Sequence, residues 1–258
     1  MDAASLLNEI IEAHGARGLW DEGTALDAVI SARGFLFTVK RRRPLDHVRV
    51  TAEVRRPRFR FHDFPHPGLT AELIGNDEVR VVGAGEEIVE RRLRPRAEFR
   101  RLRRLVQWDT LDFVYFGGYA TWNYLLGPLL FLHDGLRFEA LGPPPGGPSS
   151  WVRLGVTFPD DLPTHCRAQT FTYDESRHLR RLDYTAEVIG RWARAAHLCS
   201  GYRDFSGYLA PTTRRVLPLP WGHQPLAGPV LVALDVHDLR PVRAAAPTEP
   251  SQPPAGNR

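Results

Sequence analysis

Twice in this chain apolar and polar side chains alternate residue by residue, and between the two stretches lies an uncharged block with helical spacing. A period of two places successive side chains on opposite faces of a half-buried strand, so the chain must build sheet on either side of a helix. The first stretch runs from about Ala25 to Arg94. It reads as strands at Phe35-Leu-Phe-Thr-Val, Val48-Arg-Val-Thr-Ala-Glu-Val, Phe59-Arg-Phe, Val79-Arg-Val-Val and Ile88-Val-Glu. Gly75-Asn-Asp and Gly83-Ala-Gly fall where hairpin turns call for positive φ, and Arg94-Pro closes the meander. The second stretch reads as strands over 151–158, 164–173, 179–189, 196–205, 208–217 and 229–237.

A short amphipathic helix precedes the first meander, with Asp2 as N-cap, Leu6, Leu7, Ile10 and Ile11 at helical spacing, and Gly15 as the stop. The central helical block covers 97–132, broken near 107–109 and again at Gly127-Pro. Strands, then helix, then strands in consecutive hairpins predict a mainly β fold. The expected form is a curled antiparallel sheet of ten or eleven strands, with the central helical segment capping or filling its concave side.

Within the central block, 113–132 is free of charge and just long enough to span a bilayer. Gly117-Gly, Asn123, the Gly127-Pro break and the polar atoms of Tyr115, Tyr119, Trp122 and Tyr124 dilute its hydrophobicity. Asp109 and Asp112 flank it without a basic bias, so it reads as a buried helix and no integral membrane association is expected.

The 258 residues are 43% hydrophobic and 25% charged, enough to bury one sizeable core, and no linker divides them. One β-rich domain over 1–240 is expected, followed by a tail, 241–258, of Ala, Pro, Ser and Gln too poor in apolar side chains to order. The net charge of +4 comes almost wholly from arginine, Lys40 being the only lysine. Zinc-finger spacing and ribonucleoprotein motifs are absent, and the arginines read as a solvated surface, so nucleic acid is not an expected partner. The two cysteines, Cys166 and Cys199, lack metal or redox spacing and read as small core residues. The N-terminus lacks a basic region followed by an apolar run, which points to the cytoplasm.

Gly83-Ala-Gly follows a strand as a dinucleotide-binding turn would, but Ile88 stands where the third glycine belongs and the residues after it alternate, so a hairpin is expected. His62 and His66 have the spacing of a metal pair. Pro65 forbids the helix that would put both imidazoles on one side, and a loop without metal is expected. No cofactor is expected.

In the second stretch one phase carries Leu154, Val156, Phe158, Cys166, Leu182, Tyr184, Leu234 and Val236, and reads as core. The other carries Arg153, His165, Arg167, Gln169, Arg181, Asp183, His197, Arg203, Arg214, Asp235 and His237. Two readings of this polar phase stand. It is a solvated convex face laced with ion pairs, or part of it turns inward to line a site where His165 and Asp183, on adjacent strands, form an acid–base pair. The aromatic helix is likewise either plain core or, through Tyr115, Tyr119, Trp122 and Tyr124 with Tyr184 nearby, the lining of a ligand pocket.

The segments Tyr115-Phe-Gly-Gly-Tyr-Ala-Thr-Trp-Asn-Tyr-Leu, Val156-Thr-Phe-Pro, Thr164-His-Cys-Arg-Ala-Gln-Thr-Phe-Thr-Tyr-Asp, Leu179-Arg-Arg-Leu-Asp-Tyr and Pro211-Thr-Thr-Arg-Arg-Val resemble an uncharacterised bacterial family without an assigned activity, over residues from the first helix to about Asp238. More distantly, the order of helix, meander, internal helices and returning strands is similar to the lipoprotein-carrier fold, an unclosed β-barrel with helices over its mouth. That resemblance implies a concave face able to hold acyl chains. One relative of similar architecture is an enzyme that reshapes a pigment precursor without a cofactor. The expected function is therefore binding of a lipophilic small molecule or acyl chain, with a cofactor-independent cyclase or isomerase acting on a hydrophobic metabolite as the alternative.

Overall fold

The computed structural model describes residues 2–99, 102–220 and 222–243. Helices α1 (Ala3–Ala13) and α2 (Ala16–Asp21) open the chain. Asp2 caps α1 by accepting a 2.9 Å hydrogen bond from the Ser5 amide, and Leu6, Ile10 and Ile11 form its buried stripe. Strand β1 (Thr24–Arg33) and the short helix α3 (Phe35–Val39) follow. Then come β2 (Leu45–Glu53), β3 (Arg58–His62), β4 (Thr70–Ile74), β5 (Glu78–Val82) and β6 (Ile88–Leu93). Helix α4 (Pro95–Glu98), a 3-10 turn (Leu102–Leu105), helix α5 (Thr110–Leu126) and a second 3-10 turn (Gly127–Leu132) make up the central block. The rest is sheet: β7 (Arg137–Leu141), β8 (Val152–Thr157), β9 (Ala168–Tyr173), β10 (Leu179–Thr185), β11 (Arg194–Phe205), β12 (Tyr208–Pro218) and β13 (Val232–Arg243).

Among the described residues thirteen strands form one sheet in the order β6-β5-β4-β3-β2-β1-β13-β12-β11-β10-β9-β8-β7. Every pairing is antiparallel. The first half meanders outward from β1 to the edge strand β6, the central block crosses to the other edge at β7, and the second half meanders back until β13 meets β1. This connection places α5 inside the curve of an unclosed sheet.

Helix α5 is apolar on all sides, as a helix buried all round must be, and only Thr110, Gly117 and Asn123 are partly exposed. A capping box starts it: the Asp109 carboxylate accepts from the Asp112 amide at 2.9 Å, and Asp112 accepts from the Asp109 amide at 3.2 Å. Asp112, fully buried, is neutralised by Arg92 and Arg104. Gly118 lets the helix approach the sheet, because a Cβ there would lie 3.2 Å from the Leu73 Cβ. At the other end the carbonyls of the last turn, which no further turn can satisfy, accept from the Arg214 guanidinium and the Tyr208 hydroxyl. No helix among the described residues is long and apolar enough to cross a membrane.

Four local expectations change. The segment 35–39 is helix rather than strand: Gly34, at φ 137°, ends β1, and the amides of Phe35 and Leu36 bind the carbonyls of Val230 and Leu231. Strands β1, β4 and β7 add to the expected set. β9 begins at Ala168 rather than 164, leaving 163–167 as a loop buried up to Cys166. Finally, β13 runs past residue 240 to Arg243, paired with Thr24, and the remainder of the expected tail lies outside the described residues. Gly83-Ala-Gly is the turn of the β5–β6 hairpin, as expected.

Candidate functional site

The concave faces of β10 to β12 meet α5 at Tyr124 and at its C-terminal end, through Tyr184, His197, Arg214 and Tyr208, and beside that contact the sheet and the helix part. Between them runs a groove of about 570 Å3, a volume typical of small-molecule sites. Ala186 and Ala195 leave it space, Val216 and Val232 form its floor, and Leu36 of α3 and Phe116 of α5 form the opposite wall. Its mouth is rimmed by Phe35, Val39, Leu105 and Trp192, and Trp192 is 75% exposed, far beyond what a core tryptophan shows. Leu36, Lys40, Phe116, Tyr124 and Val232 also border a narrower recess of about 40 Å3 that continues inward between Phe37, Phe61 and Phe113.

A polar cluster lies behind the groove wall. His165 sits in the loop before β9, 1% exposed, with Nδ1 hydrogen-bonded to the Tyr119 hydroxyl at 3.2 Å and Nε2 to the Tyr124 hydroxyl at 2.8 Å. The Tyr184 ring stacks on the imidazole at 3.9 Å, and its hydroxyl lies 3.0 Å from that of Tyr124. Burial, reinforced by Arg96, pulls the His165 pKa down to about 3. Burial pushes the phenols of Tyr119, Tyr124 and Tyr184 up. The cluster is thus a neutral hydrogen-bonded chain at ordinary pH.

The expected partner of His165 is not there. Asp183 pairs in register with Thr170 on β9 and Ala196 on β11, and its carboxylate accepts from Arg181 Nε at 2.6 Å. Adjacent residues of a strand point to opposite faces, so with Tyr184 turned inward onto His165, Asp183 is on the outer face. The acid–base pair is not formed. The polar phase itself divides: His165, Gln169, His197 and Arg214 are buried, whereas Arg153, Arg181, Asp183 and Asp235 are partly exposed and Arg203 is exposed. The reason is local. The strand that was expected to begin at 164 begins at Ala168, which frees His165 from its phase, and in β11 the inward set is Ala195, His197 and Cys199.

Of the residues expected to line a pocket, Tyr124 and Tyr184 face the groove, and Tyr119 stands one hydrogen bond behind them through His165. Tyr115 and Trp122 are satisfied elsewhere. The Tyr115 hydroxyl donates to Asn76 Oδ1 at 2.9 Å, and the Trp122 indole donates to the Glu53 carbonyl at 2.9 Å. His62 is hydrogen-bonded to Thr51. Lys40, α3 and Trp192 are not among the site residues expected from the sequence, although the chain's single lysine shortly after Phe35-Leu-Phe was the available signal.

No protein-family model matches the chain, and no curated protein does. Among solved structures it is similar to a LolA superfamily protein from Nitrosomonas europaea, at 14% identity over 96% of both chains with a TM-score of 0.53. It is also similar to a DUF1329 family protein from Desulfovibrio piger, at 12% identity over 92% of both chains with a TM-score of 0.47. The first likeness, which spans nearly the whole of both chains, is one of fold alone: an unclosed antiparallel sheet curved around a central helix.

Proposed function

We propose that the chain is a binding protein for a lipophilic small molecule or acyl chain, held in the groove between α3, α5 and strands β10 to β13. The observation that carries this reading is the groove itself: about 570 Å3, walled by aliphatic and aromatic side chains and opening through the exposed Trp192 and Phe35. An apolar surface left unfilled in water is unfavourable by about 25 cal/mol for each Å2, so such a groove gains from an apolar occupant. The likeness of fold supports the same reading, since the lipoprotein-carrier architecture offers a concave face to acyl chains.

A cyclase or isomerase would need a group that exchanges protons at the groove wall. Tyr124 and Tyr184 carry phenols raised above their ordinary value beside an imidazole held neutral, and that arrangement retains protons. The binding reading is therefore preferred.

The test is filling the groove. The neutral reporter N-phenyl-naphthylamine should brighten on adding the protein, and Ala186→Trp or Ala195→Trp should weaken its binding by about tenfold or more with the circular dichroism unchanged. A wild-type protein that neither takes up the reporter nor carries a small molecule in native mass spectrometry of material from its own host would overturn the reading.

A further inference from the structure

The two cavities share an electrostatic feature that their apolar walls conceal. Their lining includes three cations, Lys40, Arg42 and Arg194, and neither Asp nor Glu. Lys40 is 3% exposed. Its Nζ donates to the Arg104 carbonyl at 3.0 Å and the Leu105 carbonyl at 2.6 Å, capping the 3-10 turn Leu102–Leu105, and sits 5.2 Å from the Trp108 ring centre. This uses two of its three hydrogens and leaves its charge without a carboxylate within ion-pair distance among the described residues. Arg42 is partly buried. Among the described residues its guanidinium has one hydrogen bond, to the Trp108 carbonyl, long at 3.5 Å, and its buried Nε has no partner.

Arg214, 3% exposed, likewise has no carboxylate within ion-pair distance among the described residues, but it lines neither cavity and donates to the Tyr124 carbonyl. Other charges of the interior are paired. Arg104 is paired with Asp112, and Arg60 and Arg80 with the buried Glu72. Asp109 and Asp112, the acids whose field reaches Arg42, are held by Arg92 and Arg104. An ammonium taken out of water without a counter-charge is unfavourable by several kcal/mol, which an arriving anion would offset. The Lys40 capping role accounts for where the side chain lies, and an uncharged donor could fill it.

We propose that the ligand is an amphiphile with an anionic head, a long-chain carboxylate by class, whose head is held by Lys40 and Arg42 where the groove meets the recess and whose chain lies along Val216, Ala195 and Ala186. This rests on the groove being the binding site. Lys40 supplies a charge-assisted hydrogen bond from its third hydrogen, and Arg42 supplies a second through Nε.

Displacement of N-phenyl-naphthylamine from the full chain separates the head from the groove. Dodecanoate should displace it at a concentration roughly tenfold below that needed for dodecanol, and dodecyltrimethylammonium should be the weakest of the three. In Lys40→Met the dodecanoate advantage should vanish, with dodecanoate and dodecanol displacing the reporter at similar concentrations, and Lys40→Arg should retain it. Because Lys40 also caps a turn, Arg42→Gln provides a second variant away from that contact, and it should reduce the same preference. Equal displacement by dodecanoate and dodecanol from wild-type protein would overturn the assignment of the head and leave the groove standing. A dodecanoate preference that survives in the Lys40→Met, Arg42→Gln double variant would do the same. Failure of the reporter to bind wild-type protein would remove the groove and the assignment together.

Discussion

His165 has surroundings far from those of a free side chain. An imidazole with both nitrogens hydrogen-bonded to hydroxyls and a ring stacked on its face is held neutral, and His197, whose ring nitrogens are buried without partners, is pushed well below its ordinary pKa by burial, then by Arg214 and His165. His14 is lowered to about 4 by burial. His165 and His14 take up protons in the unfolded chain near 6.5 and in the folded chain only near 3 and 4, and His197 is shifted in the same direction. Between those values the unfolded state binds more protons, so stability rises with pH and is lost as pH falls from 6.5. Urea titrations across that window should show a loss of about 1.4 kcal/mol per pH unit for each such histidine, and His165→Phe should reduce the slope by about one proton. The same variant should cost about 1–3 kcal/mol at neutral pH, because the Tyr119 hydroxyl is left buried without its partner. His165 stood out in the sequence, but its neighbours did not. Its partners lie 46 and 41 residues earlier on a helix, a contact that strand phase cannot report.

Helix α5 and its sheet show what patterning reveals and what it hides. The uncharged block between two alternating stretches was enough to foresee a buried helix inside an antiparallel sheet, since a helix without a polar face must be enclosed. β4 escaped notice because Ala71, Glu72 and Leu73 are buried in succession, Glu72 through its arginines, which erases the alternation. α3 was misread because five residues, Phe35 to Val39, satisfy either period, and the backbone bonds from Phe35 and Leu36 to the segment before β13 decide between them. The close seat of α5 on β3 and β4 gives a test. Gly118→Val places branched carbons beyond a Cβ already 3.2 Å from Leu73, and should lower the urea midpoint by the equivalent of about 1–3 kcal/mol without changing the fold.

At the scale of the whole molecule the groove and the buried cluster lie where the second meander faces the central block and the recess where the first does, so the architecture expected from the sequence placed the concave side correctly and left its lining unspecified. Which side chains face inward depends on where each strand begins, and a one-residue shift exchanges the faces. The join between the halves has a further consequence. β1 pairs with β13 along Thr24 to Arg33, contacts separated by some two hundred residues of chain, whereas every other strand pairs with its immediate successor or predecessor. Loop closure over such a span is the slowest entropic step available, so each meander should nucleate by itself and the sheet should be completed last. Pulsed hydrogen exchange during refolding should protect β1 amides bonded to β2 early and those bonded to β13 late. Until that moment β1 presents an open edge, and a chain still being synthesised remains exposed to wrong partners until its final strand has emerged.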